Sequence, residues 1–205
     1  MLLLKVCGMR NEANIAELIK VQPDFMGFIF HEKSSRNVSS KMDIEIPESI
    51  NKVGVFVDED EHFIEAKIKI FKLTHVQLHG FESPQFCSKI KSLEVQIIKA
   101  FNIHPGFDFE ILAEYEPHCD YFLFDAFGKK AGGNGIVFNW DLLKNYKGNI
   151  PFLLSGGIDE TMVEKLKKIN HPRFVGVDIN SKFETAAAYK NIEKIKEFKN
   201  GLSSK

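Results

Sequence analysis

The feature that most constrains this chain is a recurrence. Eight short runs of apolar, β-branched and aromatic residues, at 2–7, 25–30, 52–57, 75–78, 95–100, 121–125, 152–155 and 174–178, alternate for the most part with stretches of helical spacing. Those stretches are 12–20, 61–71, 84–91, 107–115 and 160–169, with 193–200 closing the series. Parallel strands must be joined by crossovers, so the alternation predicts a parallel sheet; a run such as Phe25-Met26-Gly27-Phe28-Ile29-Phe30, apolar on both faces, suits burial on both sides. Eight such units predict an α/β fold closed into a (β/α)8 barrel of the TIM type. The alternative is an open doubly wound sheet. Its dinucleotide-binding form would carry Gly-x-Gly-x-x-Gly after the first strand, where this chain has Val6-Cys7-Gly8-Met9-Arg10. The helical pattern is weakest over 34–48 and after Trp140, residues 147–151 read as a turn, and the tail 201–205 is expected to fray.

At 205 residues the chain fits one catalytic domain, 1–205. A formal net charge of −1 supplies no field that would draw nucleic acid or anionic lipid, so an anionic ligand must be held by local groups. The opening Met-Leu-Leu-Leu is cut off by Lys5, too short for a signal-peptide core, and no run is long enough to span a bilayer; a cytoplasmic protein is expected. Cys7, Cys87 and Cys119 are odd in number and lack Cys-x-x-Cys spacing, which predicts reduced thiols and no zinc site. His75 and His79 lie on a strand, where four residues span about 13 Å, so they cannot share a metal.

A barrel of this kind builds its site at the carboxyl ends of its strands. Those positions hold Cys7-Gly8, His31 with Arg36, Asp58, His79-Gly80, Phe101-Asn102, Asp125, Ser155-Gly156-Gly157 and Asp178-Ile179-Asn180-Ser181. Ser155-Gly156-Gly157-Ile158 leads into a helix expected near Asp159, so backbone N–H groups can converge on a phosphate there, with Asn180 and Ser181 beside it. A tight strand-to-helix turn would use the same glycines. Asp125 ends an almost wholly apolar strand, where desolvation favours its acid form, although a turn-capping role fits the same position. The glycine-rich stretch after it, with Lys129, Lys130, Gly132, Gly133 and Gly135, has the composition of a closing loop. Cys7 is either a buried small hydrophobe or a nucleophile or base that needs thiolate character. Arg36 is either solvated or turned inward, where its fork would match a carboxylate.

Taken in order, these segments resemble the phosphoribosylanthranilate isomerase family along nearly the whole chain. The resemblance rests on Lys5-Val6-Cys7-Gly8-Met9, Gly27-Phe28-Ile29-Phe30 with Ser34-Ser35-Arg36, and Val53-Gly54-Val55-Phe56-Val57. It continues through Val76-Gln77-Leu78-His79-Gly80, Phe124-Asp125 and Gly132-Gly133-Asn134-Gly135 with Phe138-Asn139-Trp140. Leu154-Ser155-Gly156-Gly157-Ile158 and Val177-Asp178-Ile179-Asn180-Ser181 complete it. The resemblance implies an isomerase of tryptophan biosynthesis that performs an Amadori rearrangement of N-(5′-phosphoribosyl)anthranilate without cofactor or metal, as a monomer or homodimer. It implies Asp125 as general acid and Cys7 as general base. Arg36 would pair with the anthranilate carboxylate, His79 would line the substrate site, and Gly133, Gly135, Gly156, Gly157, Asn180 and Ser181 would surround the phosphate. Asp178 is carried over only as a neighbour of the site.

That chemistry poses a protonation problem. With ordinary pKa values, about 3% of Cys7 would be thiolate and roughly 0.1% of Asp125 protonated near neutral pH, so each residue needs a local environment that moves it. Lys182-Phe183-Glu184 follows Ser181 where many relatives continue with glycine, and Arg10 stands where threonine is frequent. Other sugar-phosphate barrels are poorer fits: a ribulose-phosphate epimerase would need strand-end metal ligands, and an indole-glycerol-phosphate synthase a catalytic lysine with two glutamates. A sugar-phosphate-binding protein without catalysis would need neither Cys7 nor Asp125.

Overall fold

The computed structural model describes residues 2–40, 42–126 and 140–204. Eight parallel strands close a barrel in chain order: β1 Leu3–Val6, β2 Phe25–Ile29, β3 Asn51–Phe56, β4 His75–Leu78, β5 Gln96–Ile103, β6 Tyr121–Ala126, β7 Phe152–Ser155 and β8 Phe174–Ile179. The ring is closed by β1 pairing with β8, Lys5 opposite Asp178. The open-sheet alternative is thereby excluded.

Around the strands lie α1 Glu12–Val21, α2 Glu61–Phe71, α3 Pro84–Lys91, α4 Val163–Lys167 and α5 Ile192–Ser203. Their starts were written in local chemistry. Asn11, Asp60, Ser83 and Asn191 each accept a backbone N–H of the first turn, and Pro84 occupies the first position of α3. The expected helix over 107–115 is instead two 3-10 segments, Phe109–Glu114 and Glu116–His118; Pro117 lacks the N–H that a continuing helix would need. The expected helix over 160–169 splits into a 3-10 turn, Glu160–Met162, and the short α4. A 3-10 segment spans Trp140–Asn145, and the described residues of the 34–48 stretch hold no helix. Of the tail expected to fray, α5 holds the residues up to Ser203, because Leu202 is buried against the core; Lys205 lies outside the described residues.

The sheet separates two groups of buried side chains. Leu4, Val6, Phe28 and Val76 face outward and pack with helix residues such as Ile15, Leu18 and Ile64. Cys7, Phe25, Val53, Val55, Ile98, Ala100 and Leu123 form a separate inner cluster. This period-two alternation places residues 5 and 7 of β1 and its extension on one face, toward the barrel interior. Beyond β8 the chain makes an unforeseen hairpin, β9 Glu184–Ala186 with β10 Tyr189–Lys190, preceded by a 3-10 turn, Ser181–Phe183.

Candidate active site

Cys7 directly follows β1, anchored by its N–H donating to the Ile179 carbonyl at 2.9 Å, and is only 4% exposed. Its thiol shares the barrel interior with the Lys5 ammonium. A Cβ built on Gly27 of β2 would lie 2.9 Å from the Cys7 sulfur and 3.2 Å from Lys5 Nζ, so the absent side chain is what lets both groups occupy this space. Lys5 donates to Asp178 Oδ1 at 3.0 Å in a fully buried ion pair. Burial alone would favour a neutral amine, but Asp178 and then the Cys7 sulfur raise Lys5 above the ordinary lysine value. Burial is also the largest influence on Cys7 and pushes its thiol up. Lys5 pulls against it most strongly, Asp178 adds to it, and Lys190 pulls against it more weakly. The sequence left open which cation would assist the sulfur; the structure supplies Lys5, two residues earlier on the same strand face.

Arg36 turns inward. Its Nε and Nη2 donate to the two carboxylate oxygens of Glu184 at 2.8 and 2.5 Å, a bidentate pair. Its Nη1 carries no bond to a described residue. The Glu184 carboxylate also accepts from the fully buried Lys190 ammonium at 2.6 Å and from the Ala188 N–H at 3.2 Å. Burial works against its charge, yet Arg36 and Lys190 hold it below the ordinary glutamate value. Lys190 further donates to Asn180 Oδ1 at 2.7 Å, so one ammonium ties the Arg36 arm to the end of β8. Arg10 donates to the Ser35 carbonyl at 3.2 Å and steadies the loop that presents Arg36. Glu184 and Lys190 carried no sequence signal, since a hairpin invisible in the pattern brings them together.

Across the mouth, Asp125 is the penultimate residue of β6, opposite Ser155 of β7 and Asn102 of β5. Its carboxylate is about a quarter exposed and stands 3.5 Å from His79 Nε2. His79 Nδ1 lies 2.8 Å from Gln77 Nε2; with that amide N–H as the donor, the ring carries its own proton on Nε2, on the side of Asp125. Asp178 lies between the two halves, feeling Lys5 on one side and Asp125 and His79 on the other. Gly156 and Gly157 both adopt left-handed backbone, φ 93° and 69°, immediately before the turn capped by Asp159. That conformation favours glycine and can direct consecutive N–H groups to one side. Ser181 and Lys182 are exposed at the start of the 3-10 turn after β8. Asp58 serves the loops, accepting the Phe81 N–H at 2.6 Å. Gly133 and Gly135, with Lys129, Lys130 and Gly132, lie outside the described residues. All three cysteines are free and buried, and among the described residues no helix is long and apolar enough to cross a membrane.

Comparison with known proteins points one way. The family model described as N-(5′-phosphoribosyl)anthranilate (PRA) isomerase matches residues 4–200. A Phocaeicola vulgatus N-(5′-phosphoribosyl)anthranilate isomerase is 42% identical over 204 residues, covering 100% of this chain and 99% of the relative. A relative of the same name from Parabacteroides distasonis is 42% identical over 202 residues, covering 96% and 91%. The crystal structure of phosphoribosyl anthranilate isomerase from Thermotoga maritima superposes with a TM-score of 0.86 at 30% identity, covering 98% of each chain. Another solved isomerase, in complex with reduced 1-(o-carboxyphenylamino)-1-deoxyribulose 5-phosphate, gives 0.83 at 28% identity, again over 98% of each chain.

Proposed function

The chain belongs to the N-(5′-phosphoribosyl)anthranilate isomerase family, and from that premise we propose how its own residues divide the work of isomerising that small-molecule substrate in tryptophan biosynthesis. Asp125 gives a proton to the ribose ring oxygen as the C1–O bond breaks and the anilinic nitrogen forms C=N. Cys7, as thiolate, then takes the C2 proton, and the C–H electrons flow into an enolamine. Protonation at C1, with loss of the proton from the C2 hydroxyl, completes the ketone. The reaction needs no net oxidant or reductant, because the two electrons lost at C2 are gained at C1.

The observation that supports these roles is the pairing of a buried cysteine and ammonium on one wall with a partly exposed carboxylate on the other, at the same end of the barrel. The His79 Nε2–H faces Asp125 and would stabilise the carboxylate left after proton donation. Arg36, already oriented by Glu184, offers Nη1 to the anthranilate carboxylate. The Gly156-Gly157 turn, with Asn180 and Ser181, provides N–H groups for the phosphate.

The test is fluorescence-monitored turnover of phosphoribosylanthranilate generated in situ from anthranilate and phosphoribosyl pyrophosphate. Cys7→Ala and Asp125→Asn are each expected to lower kcat by at least about 10²-fold. A variant with near-normal turnover would remove its residue from the mechanism, while the reaction itself would stand.

A further inference from the structure

The mechanism above asks a thiol with almost no solvent contact to carry negative charge, and the structure places one cation where it can help. Lys5 and Cys7 share a strand face, and the point that a Cβ on Gly27 would occupy is 2.9 Å from the Cys7 sulfur and 3.2 Å from the Lys5 ammonium, so the two groups are neighbours in the barrel interior. The third member, Asp178, stands opposite Lys5 in the β1–β8 register and holds its Nζ at 3.0 Å. We propose that Lys5 is a positioning residue for the base: its buried ammonium, fixed by Asp178, keeps the Cys7 sulfur oriented and its thiolate stabilised before substrate arrives. This rests on Cys7 being the base. It goes further by making the Lys5–Asp178 pair an adjustable setting for that base rather than a frame for the barrel.

Among the described residues, the charged groups acting on the sulfur come from separate elements. Lys5 lies on its own strand, Asp178 on β8, Lys190 on β10 and Arg36 in the loop after β2. Glu184 lies between the last two and is bonded to both, so much of their charge is already answered. Among the described residues Lys5 is hydrogen-bonded to Asp178 alone, which leaves donors for the sulfur. The two members of the pair therefore act on Cys7 with opposite sign. Removing the ammonium takes away the cation that favours thiolate. Removing the carboxylate lifts a repulsion and also leaves Lys5 with the sulfur as its natural counter-charge.

Those opposite signs give the test. The thiolate of Cys7 is titrated by its ultraviolet absorbance as a difference between each protein and its Cys7→Ala counterpart, with no substrate present. Lys5→Met is expected to move the titration to higher pH, with the thiolate fraction at neutral pH falling about tenfold or more. Asp178→Asn is expected to move it to lower pH. Lys5→Met leaves a buried carboxylate without its partner and can fail to fold, so Lys5→Met/Asp178→Asn, a neutral pair of similar volume, is compared with Asp178→Asn; the double variant should titrate at higher pH. The proposal is overturned if Asp178→Asn moves the titration upward, or if the double variant titrates with Asp178→Asn. A frame-only role would lower stability in all three and leave no opposed shifts. Because the readout needs no turnover, its failure is separable from a failure of Cys7 as base, which the Cys7→Ala turnover assay reports.

Discussion

Two of the buried lysine–carboxylate pairs among the described residues are of nearly equal length and are put to different use. Lys5–Asp178, at 3.0 Å, lies inside the ring beside Cys7; Lys99–Glu82, at 3.1 Å, lies on the outer side of β5. Strand alternation decides this, since Lys99 stands between the inward-facing Ile98 and Ala100. Lys99 also donates to the carbonyls of Leu78, Gly80 and Ala100 at 3.3, 2.8 and 3.2 Å, and rests over the Phe101 ring. Glu82 in turn accepts the N–H groups of Asp58 and Gly80. That pair is spent on backbone, knitting the ends of β3, β4 and β5. Lys5 is directed at side chains, Asp178 and the Cys7 sulfur. A buried ion pair is weak evidence of net stability, because desolvation offsets attraction, so the partners' remaining bonds show what the pair does.

The largest effect expected from this contrast is on stability. Lys99→Met leaves Glu82 buried with its cation gone and should cost about 3–5 kcal/mol in urea unfolding, while kcat and KM of the folded fraction stay near wild type. The contrast breaks if Lys99→Met alters kinetics without destabilising the fold. A second prediction concerns the carboxylate arm. Glu184→Gln removes the charged half of the bidentate clamp on Arg36 and should raise KM about tenfold with kcat largely kept, as expected when uniform substrate binding is lost. A fall in kcat at unchanged KM would move Glu184 from orienting the anchor to assisting the chemistry.

The same contrast explains how much was legible in the sequence. The barrel was, because eight runs with two-sided apolar character have few other ways to be covered, and the strand-end filter then gathered Cys7, His79, Asp125 and Asp178 at one mouth. The environment of those residues was less so. Lys5 was within reach, since a lysine two positions before Cys7 on a strand must share its face, and a charge in an apolar strand needs a partner. Glu184 and Lys190 were not, because their meeting depends on a seven-residue hairpin, 184–190, whose opening Glu-Thr-Ala-Ala-Ala has weak strand propensity and whose turn is pinned by Ala188 at φ 62°. The 3-10 segments were read as helices for a related reason: apolar spacing predicts which face is buried but does not distinguish three residues per turn from 3.6 over a single turn.

The smallest effect separates both pairs from a buried titratable group of another kind. His75 opens β4, is 4% exposed, and packs edge-on against Phe25 with ring centroids 5.2 Å apart. Among the described residues it has no carboxylate bonded to it as Lys5 and Lys99 have; Thr74 Oγ1 sits 2.9 Å from its Nδ1. Burial lowers its pKa below the ordinary imidazole value, with weaker opposition from Gln96 and Asp120. The unfolded chain thus takes up a proton at this residue at a pH where the folded chain does not. Stability should therefore decline as pH falls through the ordinary histidine range and level off at this site once the lowered folded value is passed. Urea midpoints measured across that range should show the decline in wild type and a shallower one in His75→Phe, which keeps the ring and drops the titration. An unchanged slope in His75→Phe would assign the decline to the other histidines or to the carboxylates. It would also mean that burial without a counter-charge, the condition that distinguishes His75 from Lys5 and Lys99, is tolerated here without a proton penalty.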